Sequence, residues 1–361
     1  MTDNSTPAYE DPHMMANSAS EDGMVWYPVT LPVFGMTGAY NYVPGEGFER
    51  IPQVIADATN DGVQVNNHHT AGVHIRFKTN AKKIGVRVLF PYLKTFTHMP
   101  LSGTGGFDLY VDHEEKGQYS FSEFLVLYRP KYDVKDYYEE IQEVSGETQY
   151  YTLNFPLYNA ITTLEIGFSE GAFLEPGMPY RNELPVVYYG SSITQGACAS
   201  RPGLSYEARI SRTYNLNYVN LGYSGHAKGE QVIMEYISKI PMSLFVYDYD
   251  HNSSVEELAV NHKRGYEIVR RVNPDLPIIF VTRPDGRRHV EASKKRFDII
   301  RETYESALIN GDKNVYFVDG FQFYAGEHPE DCSVDGLHPN DEGFAGMAKY
   351  IGLAVKEALK L

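Results

Sequence analysis

Residues 184–196 read LPVVYYGSSITQG, an apolar segment that runs into a serine-containing turn between two glycines. The part before Gly190 is short and rich in β-branched and aromatic side chains, which predicts a buried strand. The turn from Gly190 to Gly196 ends that strand, and a helical pattern follows at residues 206–214. The stretch is therefore predicted to open a strand-to-helix unit of the kind that builds parallel sheets.

Beyond this unit, strand and helix patterns alternate to the end of the chain. Apolar strand-like runs occur at residues 218–221, 244–247, 278–282 and 315–318, and helical patterns at residues 231–239, 255–272, 293–308 and after 340. Asn340 is a good N-cap for the last helix. Ser253 or Ser254 can serve as the N-cap of the helix predicted to begin at residue 255. This alternation predicts an α/β fold, with a parallel sheet covered by helices on both faces.

The region before residue 184 has a different rhythm. Apolar and polar residues alternate with a period of two at residues 73–77, 84–90, 107–111, 151–155 and 164–168. Because no helical pattern separates these strands, they predict an all-β sandwich. The proline-rich and glycine-rich stretch 174–183 is typical of a linker. Three parts are predicted: a flexible segment at 1–25, a β-sandwich domain at 26–175 and an α/β domain at 184–361.

Composition narrows the range of partners. The formal net charge is -15 without a basic block, which argues against nucleic acid and anionic membranes. No run approaches the ~18 apolar residues of a membrane span, and the first 24 residues lack a signal-peptide pattern. A cytoplasmic location is expected for the chain as given, or an exported one if a signal precedes it. The oligomeric state stays open.

The two cysteines, Cys198 and Cys332, are too few for a disulfide scaffold and lack the spacing of a zinc site. They are expected to be buried thiols, although they lie near the two halves of the candidate site and their redox state is open. No metal and no cofactor is expected.

Ser192 is the first candidate catalytic residue, because it follows the carboxyl end of the first parallel strand. The active sites of open α/β sheets lie at this edge of the sheet. A serine hydroxyl needs a base to take its proton as it attacks. The segment DGLHPND at residues 335–341 offers that base. Asp335 and His338 lie three residues apart on a loop, so the carboxylate can hold one imidazole nitrogen and leave the other for the serine.

Two further strand ends in the same half carry candidate donors for an oxyanion. The first, NLGYSGH at residues 220–226, offers a glycine N–H that can approach a substrate oxygen closely. The second, YDYDHN at residues 247–252, offers the side-chain amide of Asn252.

The order of these segments resembles the conserved blocks of SGNH (GDSL-like) hydrolases. The resemblance implies Ser192 as nucleophile, with Asp335 and His338 as the other members of a Ser-His-Asp triad. It implies an oxyanion hole formed by the N–H groups of Ser192 and Gly225 and the amide of Asn252. It also implies a three-layer α/β/α, flavodoxin-like domain.

Two departures accompany the resemblance. The usual Gly-Asp-Ser-Leu reads Gly-Ser-Ser-Ile at residues 190–193, which makes Ser191 a rival nucleophile, and the usual Gly-x-Asn-Asp reads Asp-His-Asn-Ser at residues 250–253. Both look like a subgroup whose N-terminal domain carries a Gly-x-Asp-Leu-Tyr motif, which this chain has at residues 106–110. With that motif the chain is similar to carbohydrate esterase family 2, in which a jelly-roll-like sandwich precedes the hydrolase.

The function that the resemblance implies is removal of short acyl groups, chiefly acetyl, from carbohydrates through an acyl-enzyme. A small-molecule or oligosaccharide ester is the expected substrate, and four residues beside the blocks are candidates for lining its pocket: Tyr223, His226, Tyr249 and His251. Two alternatives stay open. One is a lipid or thioester acyl hydrolase, and the other is a non-catalytic carbohydrate-binding protein.

Overall fold

The computed structural model describes residues 23–131, 133–284, 290–324 and 328–361. Most of the segment predicted to be flexible, residues 1–25, lies outside the described residues.

Strands and helices are numbered in chain order within the described residues. The strands are β1 Met24–Pro28, β2 Asn41–Val43, β3 Gly47–Glu49, β4 His74–Thr79, β5 Lys83–Leu89, β6 Phe107–Glu115, β7 Gln118–Tyr128, β8 Tyr137–Glu143, β9 Gln149–Asn154, β10 Thr163–Ser169, β11 Leu174–Pro176, β12 Val186–Gly190, β13 Tyr218–Gly222, β14 Leu244–Asp248, β15 Ile278–Val281 and β16 Val315–Val318. The helices are α1 Gln53–Thr59, α2 Asp61–Asn66, α3 Leu101–Thr104, α4 Ser192–Gln195, α5 Tyr206–Tyr214, α6 Gln231–Ile237, α7 Val255–Val272, α8 Val290–Ile309 and α9 Asp341–Leu359. Short 3-10 helices lie at Pro32–Phe34, Pro202–Leu204, Gly320–Gln322 and Pro329–Cys332.

The N-terminal half contains two antiparallel sheets. One has the strand order β1-β10-β5-β8, and the other has the order β11-β4-β9-β6-β7. The inward side chains of both sheets form one apolar core that includes Val86, Leu109 and Ile166. Burial of alternate side chains from two facing sheets is what stabilises a sandwich, and the predicted sandwich fold is confirmed.

The C-terminal half contains a parallel sheet of five strands in the order β13-β12-β14-β15-β16. Helices α5 and α9 cover one face, where Ile210 and Met347 are buried. Helices α6, α7 and α8 cover the other face, where Met234 and Val269 are buried. Counted from β12, the order is 2-1-3-4-5, so the predicted flavodoxin-like α/β/α arrangement is confirmed.

Three short helices in the N-terminal half, α1, α2 and α3, were not expected from its strand pattern. Helices α1 and α2 contribute Ala56 and Val63 to the core beneath α6 and α7, on a face of the parallel sheet. The buried guanidinium of Arg50 donates hydrogen bonds to the carbonyls of Asn220 (3.2 Å) and Gly222 (2.7 Å) at the end of β13. The prediction of strands without intervening helices is therefore wrong between residues 53 and 66 and again between residues 101 and 104. Helices this short carry too few turns to show a periodic apolar pattern.

The Gly-x-Asp-Leu-Tyr motif on β6 joins the two halves. The buried carboxylate of Asp108 accepts hydrogen bonds from the N–H of Gly203 (2.8 Å) and from the amide of Asn154 (2.9 Å). The guanidinium of Arg201 donates to the hydroxyl of Tyr110 (2.8 Å). The motif therefore holds the loop that follows α4 against the sandwich.

Within the part of the chain that the structure describes, no helix has both the length and the apolarity needed to cross a membrane.

Candidate active site

Ser192 is the first residue of α4, directly after the end of β12. The side chain of Ser191 caps this helix by accepting a hydrogen bond from the N–H of Ile193 (3.2 Å). At Gly190, an added Cβ would overlap the side chain of Thr194 and the carbonyl of Asp248, so only glycine fits there. The two adjacent serines thus have different environments, and the hydroxyl of Ser192 is the one that faces His338.

Ser192, His338 and Asp335 form a continuous chain of hydrogen bonds. The distance from Ser192 Oγ to His338 Nε2 is 3.0 Å, and that from His338 Nδ1 to Asp335 Oδ2 is 2.8 Å. A carboxylate only accepts, so Nδ1 carries the proton and Nε2 presents its lone pair to the serine. Asp335 is itself held by the backbone N–H groups of Leu337 (2.9 Å) and His338 (2.8 Å), both of which donate to Oδ1.

The charge on Asp335 is stabilised by these contacts. Partial burial raises the pKa of Asp335, but hydrogen bonds from the backbone and side chain of His338 and from the backbone of Leu337 outweigh it and lower the pKa to about 2. The carboxylate is therefore ionised at neutral pH and can orient the imidazole and stabilise its protonated form.

The segments that carry Gly225 and Asn252 are linked to each other and to α4. Gly225 lies on an exposed turn with a φ of 75°, in the left-handed region that favours glycine. Asn252 Oδ1 accepts a hydrogen bond from the N–H of Ala227 (3.3 Å), which turns its Nδ2 donors away from that backbone. The N–H of Ser224 donates to Oε1 of Gln195 on α4 (2.9 Å). These bonds fix the β13 and β14 ends beside the serine turn.

The four candidate pocket residues differ in exposure. Tyr223 and Tyr249 are 0% and 1% exposed, and both lie in the apolar core beneath α6 and α7. Their assignment to a substrate pocket is therefore corrected, because their rings fill the space between the sheet and the helices. His226 is exposed and lies against Gly62 of α2, where an added Cβ would overlap its ring.

His251 is the fourth of these residues. Its side chain is 6% exposed. Burial, followed by the positive charges of Arg283 and Arg296, lowers the pKa of His251 well below its ordinary value. The imidazole of His251 is therefore neutral at neutral pH and lies within the electrostatic influence of His338.

The N-terminal half also reaches the site, through residues that the sequence did not single out. The hydroxyl of Tyr158 donates to the carbonyl of Ser192 (2.9 Å), and Nε2 of Gln195 is 2.9 Å from Nδ1 of His69. The ring of His98 lies 5.6 Å from that of His338, measured between centroids. The one sequence signal for His98 was its place in a polar loop between Pro91 and Pro100, since such loops often carry binding residues.

A cavity of about 380 Å³ lies beside His98 and reaches Val334, the residue before Asp335. Its lining consists of Thr95, Phe96, Thr97, His98, Met99, Pro100, Leu101 and Val334. The cavity is thus built largely from the loop before α3 of the N-terminal half. It is at the small end of the range for ligand sites.

Comparisons of sequence give two matches that together cover most of the chain. Residues 183–356 match the model of the GDSL-like lipase/acylhydrolase family. Residues 24–174 match the GxDLY model, which describes the N-terminus of esterases of the SGNH-hydrolase type. No curated protein matches the chain.

Solved structures resemble the chain over nearly its whole length. A GDSL-like lipase candidate from Bacteroides ovatus ATCC 8483 is 29% identical, with a TM-score of 0.81 over 93% of this chain and 98% of that one. The salicylyl-acyltransferase SsfX3 of a tetracycline biosynthetic pathway is 19% identical, with a TM-score of 0.72 over 93% and 98%. A family two carbohydrate esterase from Cellvibrio japonicus is 9% identical, with a TM-score of 0.59 over 93% and 98%. At these identities the last two likenesses concern the fold alone.

Proposed function

We propose that this protein is an esterase that removes short acyl groups, chiefly acetyl, from carbohydrates with Ser192 as nucleophile. The matches of residues 183–356 to the GDSL-like lipase/acylhydrolase model and of residues 24–174 to the GxDLY model support the proposal. The observation that carries the proposal is the hydrogen-bonded chain from Ser192 through His338 to Asp335. In this arrangement the carboxylate orients the imidazole, and the free imidazole nitrogen can take the proton of the serine hydroxyl. The serine is therefore arranged for nucleophilic attack.

In the proposed reaction, His338 Nε2 takes the proton of Ser192 as its Oγ attacks the ester carbonyl. Asp335 keeps the imidazole in the Nδ1-protonated tautomer and stabilises the positive charge that forms. The tetrahedral intermediate collapses, and His338 protonates the departing alcohol. Water then attacks the acyl-enzyme with the same base, which releases the acid and regenerates the serine. None of these steps requires a cofactor.

The negative oxygen of the intermediate is proposed to be held by three donors: the N–H groups of Ser192 and Gly225 and the side-chain amide of Asn252. Removing one such donor typically costs about 3 kcal/mol of transition-state stabilisation. The hydrogen bond from Ala227 to Asn252 Oδ1 supports this role, because it orients the amide before substrate arrives. Donors that need no reorganisation contribute most to catalysis.

The choice of a carbohydrate ester rests on the cavity lined by His98, whose ring lies 5.6 Å from that of His338 between centroids. Its threonines, Thr95 and Thr97, offer hydroxyl groups to a polar alcohol, and Phe96 offers an aromatic surface to the apolar face of a sugar ring. A volume of about 380 Å³ suits one small unit better than a long alkyl chain. The net charge of -15 favours neutral substrates over acidic ones.

The experiment is a comparison of Ser192→Ala with Ser191→Ala on an activated acetate ester. Ser192→Ala is expected to abolish turnover, whereas Ser191→Ala is expected to keep most of it. Ser191→Ala removes a helix cap and is expected to lower the free energy of unfolding by about 1 kcal/mol. It leaves the proposed nucleophile, Ser192, in place. Equal loss in two well-folded variants would contradict the assignment of Ser192.

The substrate class is tested separately. Acetate release from acetylated mono- and oligosaccharides is expected, with rates on acetate esters above those on butyrate and octanoate esters. Faster hydrolysis of octanoate would favour a lipid substrate instead. Labelling of Ser192 by a fluorophosphonate is expected in the wild type, because this reagent reacts with activated serines, and an unlabelled protein would favour a carbohydrate-binding role without catalysis.

A further inference from the structure

Three potential metal ligands meet at the site from three distant parts of the chain. His98, Cys198 and His338 each offer one ligand atom, and these atoms all lie within 4.8 Å of one another. His98 is on the loop before α3, Cys198 follows α4, and His338 is on the loop before α9. The spacing of cysteines along the sequence could not indicate this group, because it contains one cysteine and two distant histidines.

The distances are close to those that a zinc ion requires. Zinc binds nitrogen at about 2.0 Å and sulfur at about 2.3 Å with tetrahedral geometry, so its ligand atoms lie about 3.5 Å apart. The three atoms must therefore approach one another by up to about 1.3 Å. His98 lies in a loop outside the helices and strands, which lets its ring make that adjustment.

The imidazole of His338 is already oriented as a zinc ligand. Its Nδ1 is held by the carboxylate of Asp335 at 2.8 Å, which leaves the lone pair of Nε2 available. Zinc-binding histidines usually donate their second ring N–H to a carboxylate in this way. The same Nε2 lies 3.0 Å from Ser192 Oγ, so a metal bound there would occupy the lone pair that the serine needs.

The thiol of Cys198 is held at the same place. Cys198 is buried, and its Sγ lies 3.5 Å from the carbonyl oxygen of His98. Its φ of 71° is unusual for a residue with a side chain and costs about 1 kcal/mol or more, so the local fold must hold the thiol in this position. A thiolate with two imidazoles selects zinc over magnesium or calcium.

We propose that His98, Cys198 and His338 form a zinc site and that bound zinc reversibly inhibits the esterase by capturing His338. Three protein ligands leave a fourth tetrahedral position for water or for Ser192. Binding of zinc follows from the ligand geometry alone, whereas the inhibition rests on the proposed function.

Binding is measured on the full chain by titration calorimetry with Zn²⁺ and by absorption with Co²⁺ as a spectroscopic substitute. One ion per chain is expected, and the Co²⁺ complex should show a thiolate-to-metal absorption band. Loss of a partner that only supports a ligand weakens metal binding roughly 10- to 100-fold. The loss of affinity in Cys198→Ser and in His98→Gln is expected to be at least as large.

Cys332→Ser is the matched control, because Cys332 is also a buried free cysteine but is not one of the three ligands. It should bind zinc as the wild type does and keep the cobalt band. Zinc inhibition is measured for each variant relative to its own activity without metal. It should be strong in the wild type and in Cys332→Ser, and weak in Cys198→Ser and His98→Gln.

The proposal is overturned if Cys198→Ser binds zinc as tightly as the wild type or if the cobalt complex lacks the thiolate band. Tight, thiol-dependent binding without any effect on turnover would overturn the inhibition. Because binding needs no turnover, a protein that lacks esterase activity but loses zinc affinity on Cys198→Ser would refute the proposed function and support the metal site.

Discussion

Asp335→Asn is expected to reduce kcat about 10⁴-fold although it changes one atom of the side chain. The reason lies in how the carboxylate is used. Asp335 Oδ1 accepts two backbone N–H groups, from Leu337 and His338, and Oδ2 accepts the Nδ1 proton of His338. In asparagine the single oxygen is expected to stay with the two backbone donors, so the amide NH₂ group faces Nδ1.

The consequence is the wrong tautomer. Facing an amide donor, Nδ1 of His338 must accept a hydrogen bond, so the proton moves to Nε2, which then cannot accept the proton of Ser192. Loss of the correct tautomer at a Ser-His-Asp triad costs about 10⁴-fold in kcat. This corresponds to about 5.5 kcal/mol in the activation barrier.

The assay is the steady-state hydrolysis of an activated acetate ester, with kcat and KM determined separately and folding checked by urea unfolding. Asp319→Asn is the matched control. Asp319 also accepts a backbone N–H two residues ahead, from Phe321 (2.9 Å), but it contacts no catalytic group. It should retain wild-type kcat. If Asp335→Asn kept more than a tenth of the wild-type kcat with normal unfolding, the orientation role of the carboxylate would be refuted.

The pH dependence follows from the same contacts. The pKa of Asp335 is about 2 in the folded chain, below the ordinary aspartate value of 3.8. Its hydrogen bonds therefore contribute stability above pH ~4 that is lost as the pH falls through 2. Titration of Asp335 is not expected to affect the activity between pH 4 and 9.

Three further predictions concern buried groups around the site. Asp108→Ala removes the acceptor of the buried N–H of Gly203 and should lower the free energy of unfolding by about 3 kcal/mol, measured in urea. Tyr158→Phe removes the hydroxyl that donates a hydrogen bond to the carbonyl of Ser192. It should lower kcat about tenfold with KM unchanged, because it disturbs the position of the nucleophile and removes no contact to the substrate. Burial, and then the charge of nearby Asp250, raises the pKa of Asp248 to about 7. The folded state is therefore destabilised as the pH rises from about 4 to 7, by at most about 4 kcal/mol, and Asp248→Asn should flatten this fall in urea unfolding at pH 5 and 8.

Local patterns predicted the C-terminal half well. Helix α7 begins and ends where its apolar spacing indicated, and Ser254 forms a capping box with Glu257. The Asn340 cap of α9 was also predicted, and its side chain accepts hydrogen bonds from two backbone N–H groups. Caps and apolar periodicity are properties of neighbouring residues, so the sequence displays them directly.

Contacts between distant segments were not predictable in this way. Asp335 and His338 are three residues apart, so a single loop suggested their hydrogen bond. By contrast, Tyr158 meets Ser192, and His98 meets His338, only because the N-terminal and C-terminal halves of the chain pack together. Tyr158 shares an apolar core with Ile193 of α4, but no spacing rule connects residues this far apart in sequence.

Tyr223 and Tyr249 illustrate a different failure. Both follow strands at the catalytic edge, where an aromatic side chain with a polar tip is a reasonable pocket residue. The structure buries them instead. The guanidinium of Arg50, from the N-terminal half, lies 4.6 Å from the ring centroid of Tyr223, whereas the ring of Tyr249 packs against that of His262 on α7, 5.8 Å away between centroids. Residues distant in sequence therefore decide the exposure of both rings.

The contacts of the Gly-x-Asp-Leu-Tyr motif join the N-terminal half to the loop that follows the serine helix α4. The carboxylate of Asp108 accepts a hydrogen bond from the N–H of Gly203, and the hydroxyl of Ser102 donates one to the carbonyl of Ser200 (2.6 Å). The N-terminal half therefore binds both ends of the short loop at residues 200–203. That loop continues directly from α4, whose first residue is Ser192. Tyr158 reaches the same helix from the sandwich. The N-terminal half is therefore part of the support that fixes the nucleophile, and a change in its packing is expected to alter the geometry between serine and histidine.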